Sequence, residues 1–452
     1  MSYGTVASTT RLLDARQRGA DAPWTGVSTD SRTIGAGELF VALNGPSFRG
    51  VDFVADVAKA RAAAAVVERF VDVDLPQIEV ADTRHALGVI AAHWRARYAG
   101  VVIGVTGSNG KTTVKQLIAA LLGPDAYATR GNLNNDIGVP LTLLGLDAEY
   151  HAAVIEMGAN HIGEIAYLTS LVRPDVGLVT NAGPAHLEGF GSLDGVAQGK
   201  GELFYALGDG NTAIINRDDT YFSQWCDMAE PAQIVTFGLH PDADFTVSDI
   251  VSEPDGSRFT LHGPDFSGAV SLPLAGGHNV VNACAAAASA WAAGTAPSLL
   301  LERFGSVEAA PSRLRRLATI AGGVLIDDSY NANPASVLAA AEYGASLGAE
   351  VWMALGDMGE LGPGAAGMHR DLGAALAKRG VARLAVIGEL MVHCAEAFGS
   401  DATVCADHDA MIRHLAATLT ADVVLIVKGS RAARMETVVR ALAPDAKESA
   451  HA

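Results

Sequence analysis

The chain has 452 residues, 49% of them apolar and 18% charged, with a net charge of −18. At about 150 residues per domain this length predicts roughly three domains, and the apolar content excludes a disordered chain. So acidic a composition excludes nonspecific capture of long nucleic acid, so any phosphate must be met by local cations and backbone N–H groups.

Residues 1–98 read as a small α/β domain. Short apolar runs at 39–43, 64–67 and 78–80 alternate with helical stretches. The segment 83–98, with Leu87, Ile90 and Trp94 on one face, predicts an amphipathic helix leading out of it. A second domain, 99–311, opens after Gly100 with a strand-like run at 101–105. Further β-rich runs lie at 153–155, 176–180 and 213–215. A helix is predicted at 112–122, stopped by Gly123 and Pro124. Alternation of strands and helices predicts a mostly parallel sheet covered on both faces. Residues 244–274 alternate apolar and polar positions between turn residues, and predict antiparallel strands added to the edge of that sheet. The Ala-rich segment 279–293 predicts a helix, too short to span a bilayer. A third domain, 312–452, carries four buried-strand runs at 324–326, 351–355, 384–387 and 423–427, with helices predicted at 334–347 and 369–378. This is a Rossmann-like βαβ pattern without GxGxxG after its first strand, so no NAD is expected. Residues after 443 are small and polar and predict a frayed end. Residues 1–10 lack a basic segment followed by an apolar block. Cys226, Cys284, Cys394 and Cys405 are scattered, with neither a disulfide framework nor a metal spacing. A cytoplasmic protein with reduced thiols and no membrane insertion is expected.

Chemistry concentrates in a few places. TGSNGKTT at 106–113 follows a strand and precedes a helix, the setting a phosphate loop requires. Its glycines let backbone N–H groups converge on phosphate oxygens, and the helix N-terminus adds partial positive charge. Lys111 would reach the terminal phosphates and Thr112 would offer a hydroxyl to Mg²⁺. The loop is shorter than GxxxxGK[ST], because position 105 is Val. Only seven lysines occur, and Lys111, Lys200 and Lys428 each touch a glycine, a placement that solubility does not require. Glu156 ends a predicted strand, where a carboxylate can meet Mg²⁺ directly or through water, or stand as an ordinary strand-end charge. His186 follows another strand end. Asn132, Asn134 and Asn135 can bind phosphate or simply build turns. Asp327 and Asp328 can orient a ribose, a metal water or an amine, or cap the next helix. Lys428 and Arg431 close a strand with two cations suited to a carboxylate or phosphate. Together these favour a nucleotide-dependent enzyme that brings a second anionic substrate to a multi-domain cleft.

TGSNGKTT (106–113), NLNNDIGVP (132–140), EMGANHIGEI (156–165), NAGPAHLEGFGS (181–192), GHNVVNACAA (277–286), DDSYNANP (327–334), GDMGELG (356–362) and KGSRAARME (428–436) follow one another along the chain. In that order they resemble the Mur ligase family, over nearly the whole length. NAGPAHLEGFGS, DDSYNANP and KGSRAARME resemble its dipeptide-adding branch. The DNPR-type and GKGHE-type motifs of diaminopimelate- or lysine-adding relatives are missing, and RGVDF stands at 49–53 where relatives often read DGHDF.

The resemblance implies an α/β protein of three domains: one binding a UDP-sugar-peptide, a central P-loop domain binding ATP, and a Rossmann-like domain admitting the dipeptide. The activity it implies is ATP-driven addition of D-Ala-D-Ala to UDP-N-acetylmuramoyl-tripeptide through an acyl phosphate, by a monomer that closes about joints near 98 and 312. Thr106, Gly107, Ser108, Asn109, Gly110, Lys111, Thr112 and Thr113 would hold ATP phosphates. Asn282 would lie near adenine and Arg313 near the γ-phosphate, with Asp328 in the same set. Thr112 and Glu156 would ligate one Mg²⁺. His186 and a CO₂-carbamylated Lys200 would serve a second. Lys111, Glu156, His186 and Lys200 are the expected catalytic set. Ser28, Thr29, Ser31, Arg32 and Asn44 would meet the uridine diphosphate, and Asn132, Asn134, Asn331, Lys428 and Arg431 other parts of the substrates. The rivals are a folylpolyglutamate synthetase-like or diaminopimelate-adding ligase, and a P-loop regulator without ligase activity.

Overall fold

The computed structural model describes residues 3–307 and 314–443. The expected joint near 311–312, Arg313 and the tail after 443 lie outside the described residues. Contacts divide the chain into two compact units. One takes residues up to 104, 125–158 and 164–175; the other takes 105–124, 159–163 and everything from 176.

The N-terminal part of the first unit has a five-stranded sheet of β1 (Arg16–Arg18), β2 (Val27–Ser28), β3 (Leu39–Val41), β4 (Ala64–Val67) and β5 (Gln77–Glu79), in the order β1-β5-β4-β3-β2. Only β1 runs antiparallel. β3 and β4 are buried along their whole length, as expected of central parallel strands covered on both faces. Phe40, Ala65 and Val67 pack against Val54 and Val57. Helix α1 (Thr83–Arg95) starts where the Asp82 carboxylate accepts the N–H groups of Arg84 and His85, a cap that replaces missing intrahelical partners. Near its end Arg95 is buried, and its guanidinium donates to the carbonyls of Val172 at 2.8 Å and Arg173 at 2.9 Å.

The central sheet contains β6 (Val101–Thr106), β7 (Ala126–Ala128), β8 (Ala152–Glu156), β9 (Val176–Val179), β10 (Thr212–Asn216) and β11 (Gln233–Phe237), in the order β11-β10-β9-β6-β8-β7. β7 with β8, β9 with β10, and β10 with β11 pair in parallel. Helix α2 (Lys111–Leu122) follows β6, and α3 (Leu193–Tyr205) precedes β10. The segment expected as an edge extension behaves differently. β12 (Thr246–Glu253), β13 (Gly256–Gly263) and β14 (Phe266–Leu272) form a separate antiparallel sheet of three strands. Its apolar face has its own cover: Phe259 meets Phe304 edge-on, Phe245 meets Phe266 and Trp291, and Leu301 lies over Gly268. Helix α4 (Gly277–Ala292) packs on α2; its run of buried alanines lets the two backbones approach.

In the C-terminal segment β15 (Arg315–Ala318), β16 (Val324–Asp328), β17 (Glu350–Gly356), β18 (Arg383–Ile387), β19 (Ala402–Val404) and β20 (Val423–Lys428) form a sheet in the order β15-β16-β20-β17-β18-β19. β15 is antiparallel and the rest are parallel. Four of these strands match the sequence expectation; the short edges β15 and β19 carry too few apolar residues to be read as strands. Helices α5 (Pro334–Ser346) and α6 (Ala365–Lys378) lie among those covering the sheet. Met353, Leu355 and Ile426 face one layer, and Trp352, Ala354 and Leu425 the other. Complete burial of such an aliphatic side chain contributes about 1.5–3 kcal/mol.

Candidate active site

β6 ends at Thr106, and the chain turns through Gly107–Gly110 into α2. Gly107 has φ 141° and Gly110 φ 82°, conformations that only glycine adopts without strain. Space demands glycine as well. A Cβ on Gly107 would stand 1.9 Å from Thr180 Oγ1, and one on Gly110 2.6 Å from Asn282 Oδ1. The turn is braced by the segment after β9. Ser108 N–H donates to Asn181 O at 3.0 Å. Asn109 N–H donates to Asn181 Oδ1 at 3.0 Å, and Thr180 Oγ1 donates to Asn109 O at 2.7 Å. The Ser108 hydroxyl accepts from Gly183 N at 2.9 Å and donates to Gly183 O at 3.0 Å. Lys111, the first residue of α2, folds back so that Nζ donates to Gly107 O at 2.6 Å and Ser108 O at 3.3 Å. Thr112 and Thr113 stand in the first turn of α2. A cation, a helix N-terminus and a left-handed turn thus share one place, an arrangement that binds anions.

His186 lies beyond the brace, in left-handed backbone at φ 56°, and opens the short helix Leu187–Phe190. Its Nδ1 contacts the Glu360 carboxylate. Burial, and then the charge of Lys111, hold this imidazole below its ordinary value, while Glu360 opposes them and Lys200 adds to the lowering. The same short helix is near Lys200, because Nζ of Lys200 stands 4.9 Å over the Phe190 ring. Lys200 is 1% exposed and donates to Ala159 O at 2.9 Å. Its glycine neighbours have a packing reason. A Cβ on Gly199 would meet Phe190 at 2.4 Å, and one on Gly201 would meet Met228 at 2.5 Å. Lys111, His186 and Lys200 are therefore brought within electrostatic reach of one another.

In the first unit Glu156 is 2% exposed at the end of β8. Its Oε1 accepts from Asn134 Nδ2 at 2.9 Å, and its N–H donates to Thr129 Oγ1 at 2.9 Å. Asn135 builds a turn, its Oδ1 accepting from Gly138 N at 2.8 Å. Asn132 O accepts from Asn134 N at 2.8 Å. Ser28, Thr29, Ser31 and Arg32 form the turn after β2, where Ser28 Oγ donates to Asp30 O at 3.1 Å. Arg32 donates to both oxygens of Asp30, at 2.9 and 2.6 Å, which holds that carboxyl down at about 2. Asn44 donates to Glu68 at 2.9 Å and accepts from Gly50 N at 3.1 Å.

In the C-terminal segment Lys428, Asp328 and Asn331 meet. Lys428 Nζ lies 2.6 Å from Asp328 Oδ2 and donates to Asn331 O at 2.7 Å. Of the two adjacent carboxylates, Asp327 is absorbed locally, accepting from the Ser329 hydroxyl at 2.6 Å. Arg431 is exposed and pairs with Glu436 at 3.3 Å. Asn282 donates to Asn279 Oδ1 at 3.1 Å beside Gly110. Four positions were not singled out as site residues from the sequence. Thr180 and Asn181 brace the loop, Asn333 Nδ2 donates to Asn109 Oδ1 at 2.7 Å, and Glu360 reaches His186. Each lies inside or beside a quoted motif, but its partner is 71 to 224 residues away.

Among the described residues no helix is long and apolar enough to cross a membrane, and no three His, Cys, Asp or Glu side chains group as a metal cage. The chain matches three family models: the Mur ligase family catalytic domain over 23–95, the Mur ligase middle domain over 105–290, and the Mur ligase glutamate ligase domain over 312–431. It is 42% identical over 444 residues to the UDP-N-acetylmuramoyl-tripeptide–D-alanyl-D-alanine ligase of Escherichia coli K12, covering 97% of this chain and 98% of that protein. The enzyme of the same name from Bacillus subtilis 168 is 35% identical, covering 82% and 81%. A crystal structure of MurF from Acinetobacter baumannii superposes with a TM-score of 0.92 at 34% identity, covering 99% of each chain.

Proposed function

The chain belongs to the Mur ligase family, and from that premise we propose that it is an ATP-dependent amide ligase joining D-Ala-D-Ala to UDP-N-acetylmuramoyl-tripeptide. The observation that carries the reading is the braced loop 106–113 with Lys111 folded over it. The choice of substrates rests on the similarity to the Escherichia coli ligase, which extends over nearly both chains.

A carboxylate is a poor electrophile, because its oxygen leaves badly. In the proposed reaction the terminal carboxylate of the tripeptide attacks the γ-phosphorus of ATP, ADP departs, and an acyl phosphate remains. The free amine of D-Ala-D-Ala then attacks the acyl carbon, and phosphate leaves. The residues present fit a nucleoside triphosphate. Gly107 and Gly110 leave no side chain where the loop must close on Thr180 and Asn282, and the loop N–H groups lie at the head of a twelve-residue helix. Lys111 would exchange the carbonyls of Gly107 and Ser108 for phosphate oxygens. Asn282 and Asp328 complete the proposed nucleotide contacts; Arg313 is carried over from the sequence alone.

Thr112 and Glu156 would hold one Mg²⁺ and His186 and Lys200 would serve a second, and the ions would neutralise phosphate charge. Hydroxyl and carboxylate oxygens suit Mg²⁺. An ammonium at Lys200 would repel it. A carbamate would not: the deprotonated amine adds to the carbon of CO₂, a proton is released, and the side chain becomes an oxygen-donor anion. Ser28, Thr29, Ser31, Arg32 and Asn44 are assigned to the uridine diphosphate, and Asn132, Asn134, Asn331, Lys428 and Arg431 to the peptide substrates. The proposed domains are 1–98 for the UDP-sugar-peptide, 99–311 for ATP and 312–452 for the dipeptide. The enzyme is proposed to act as a cytoplasmic monomer.

The test is phosphate release with UDP-N-acetylmuramoyl-tripeptide and Mg²⁺-ATP, varying only the amine. D-Ala-D-Ala should stimulate strongly; glutamate, lysine and diaminopimelate should not. Equal stimulation by one of those amino acids would move the chain to another branch of the family, and no stimulation by any amine would favour a regulator.

A further inference from the structure

We propose that Glu360 is the positioning residue of His186. Its carboxylate accepts the Nδ1–H of the imidazole and leaves Nε2 as the unprotonated nitrogen. The inference rests on the reading of His186 as a metal-site residue given above.

Both partners occupy backbone that ordinary residues avoid. His186 has φ 56° and Glu360 φ 59°, left-handed backbone that residues other than glycine rarely adopt. Such strain persists where the surroundings determine the conformation, and it clusters at functional sites. Here the determinants are visible. Glu188 N–H donates to Glu360 O at 3.1 Å, while Gly189 N–H and Phe190 N–H both donate to His186 O at 3.1 Å. At Gly362, φ 68°, a Cβ would lie only 3.4 Å from Glu188 Cα. The two strained turns therefore touch along their backbones as well as through the side-chain pair.

The Glu360 loop is also fixed at its base. Met358 N–H donates to Nε2 of the fully buried His369 at 3.1 Å, and Nδ1–H of His369 donates to Ala365 O at 2.7 Å. The Asp357 carboxylate accepts from Met391 N at 2.8 Å, and Asp357 O accepts from Ser430 N at 3.0 Å. A loop held at three points delivers one carboxylate to one imidazole, across 174 residues of sequence. Histidines that bind metals commonly donate their second N–H to a carboxylate, which fixes the tautomer and the ring orientation. The C-terminal segment thereby supplies the outer partner of a ligand carried by the central one. The geometry of His186 is complete only with that loop in place.

Two readouts test this. The first is the ¹⁵N shift pattern of His186 in metal-free protein, at a pH where the ring is neutral. The wild type should be protonated at Nδ1, Glu360→Ala should lose that preference, and Glu360→Gln, whose amide oxygen still accepts, should keep it. The second is Mn²⁺ affinity with a non-hydrolysable ATP analogue, which should weaken about 10–100-fold in Glu360→Ala with unchanged thermal unfolding. An unaltered tautomer in Glu360→Ala overturns the proposal, as does unaltered Mn²⁺ affinity when His186→Ala does weaken binding. If His186→Ala binds Mn²⁺ like wild type, the metal-site reading of His186 fails instead, and the tautomer alone judges the pairing.

Discussion

Lys200 shows what a single side chain is asked to do. It is almost completely buried, donates to the Ala159 carbonyl and lies over the Phe190 ring. A plain lysine there completes local hydrogen bonding; a carbamylated one would face a cation. If the second role holds, Lys200→Ala should lower kcat by about 10²–10³-fold, the range for removing one group aimed at developing charge. Circular dichroism should remain that of the wild type, and near-normal turnover would exclude the role. His186 carries a pH signature of opposite character. Burial and Lys111 hold its imidazole below 6.5. The folded chain then binds fewer protons at this site than the unfolded chain. This group's share of stability is complete above pH 6.5 and shrinks as pH falls toward the depressed value. Titration of the His186 ring by NMR should give a midpoint below 6.5; a midpoint above that value would contradict the burial argument.

At the level of elements, glycine decides how closely backbones approach. In α6, a Cβ on Gly373 would stand 2.0 Å from the Cys394 carbonyl oxygen of the helix Met391–Phe398. Alanine ordinarily favours a helix over glycine by about 0.8–1 kcal/mol. Here the overlap is with backbone, which cannot swing aside, and overpacking of this kind costs about 1–3 kcal/mol. Gly373→Ala should therefore destabilise the chain in urea unfolding, not stabilise it; a raised midpoint would show that the two helices separate freely. The separate sheet β12–β14 teaches the related lesson. Its alternating pattern announced antiparallel strands, but which sheet they joined depended on a cover drawn from Trp291, Leu301 and Phe304.

For the whole molecule, the proposed acyl phosphate sets the requirement. Water competes with the amine for the acyl carbon, so the site must exclude solvent during the second step. Closure of lids or domains is the usual means. Small-angle scattering should give a smaller radius of gyration with UDP-N-acetylmuramoyl-tripeptide and a non-hydrolysable ATP analogue together than with neither. Superimposable profiles would count against closure. The strands before TGSNGKTT, EMGANHIGEI and DDSYNANP, and the helices after the first and last of these, were legible, because their apolar runs are bounded by turn residues.

The sequence alone determined the local pieces: a glycine-rich turn between β6 and α2, a carboxylate at the end of β8, and a lysine closing β20. Those readings need only short-range periodicity and backbone rules. Tertiary structure decided which distant residues meet. Thr180 and Asn181 hold Asn109, Asn333 reaches the same residue, Glu360 reaches His186, and Lys428 settles on Asp328. None of these pairs leaves a periodic trace. A hydrogen bond depends on donor and acceptor arriving within about 3 Å of each other, and over separations of 71 residues or more that is set by the packing of whole elements.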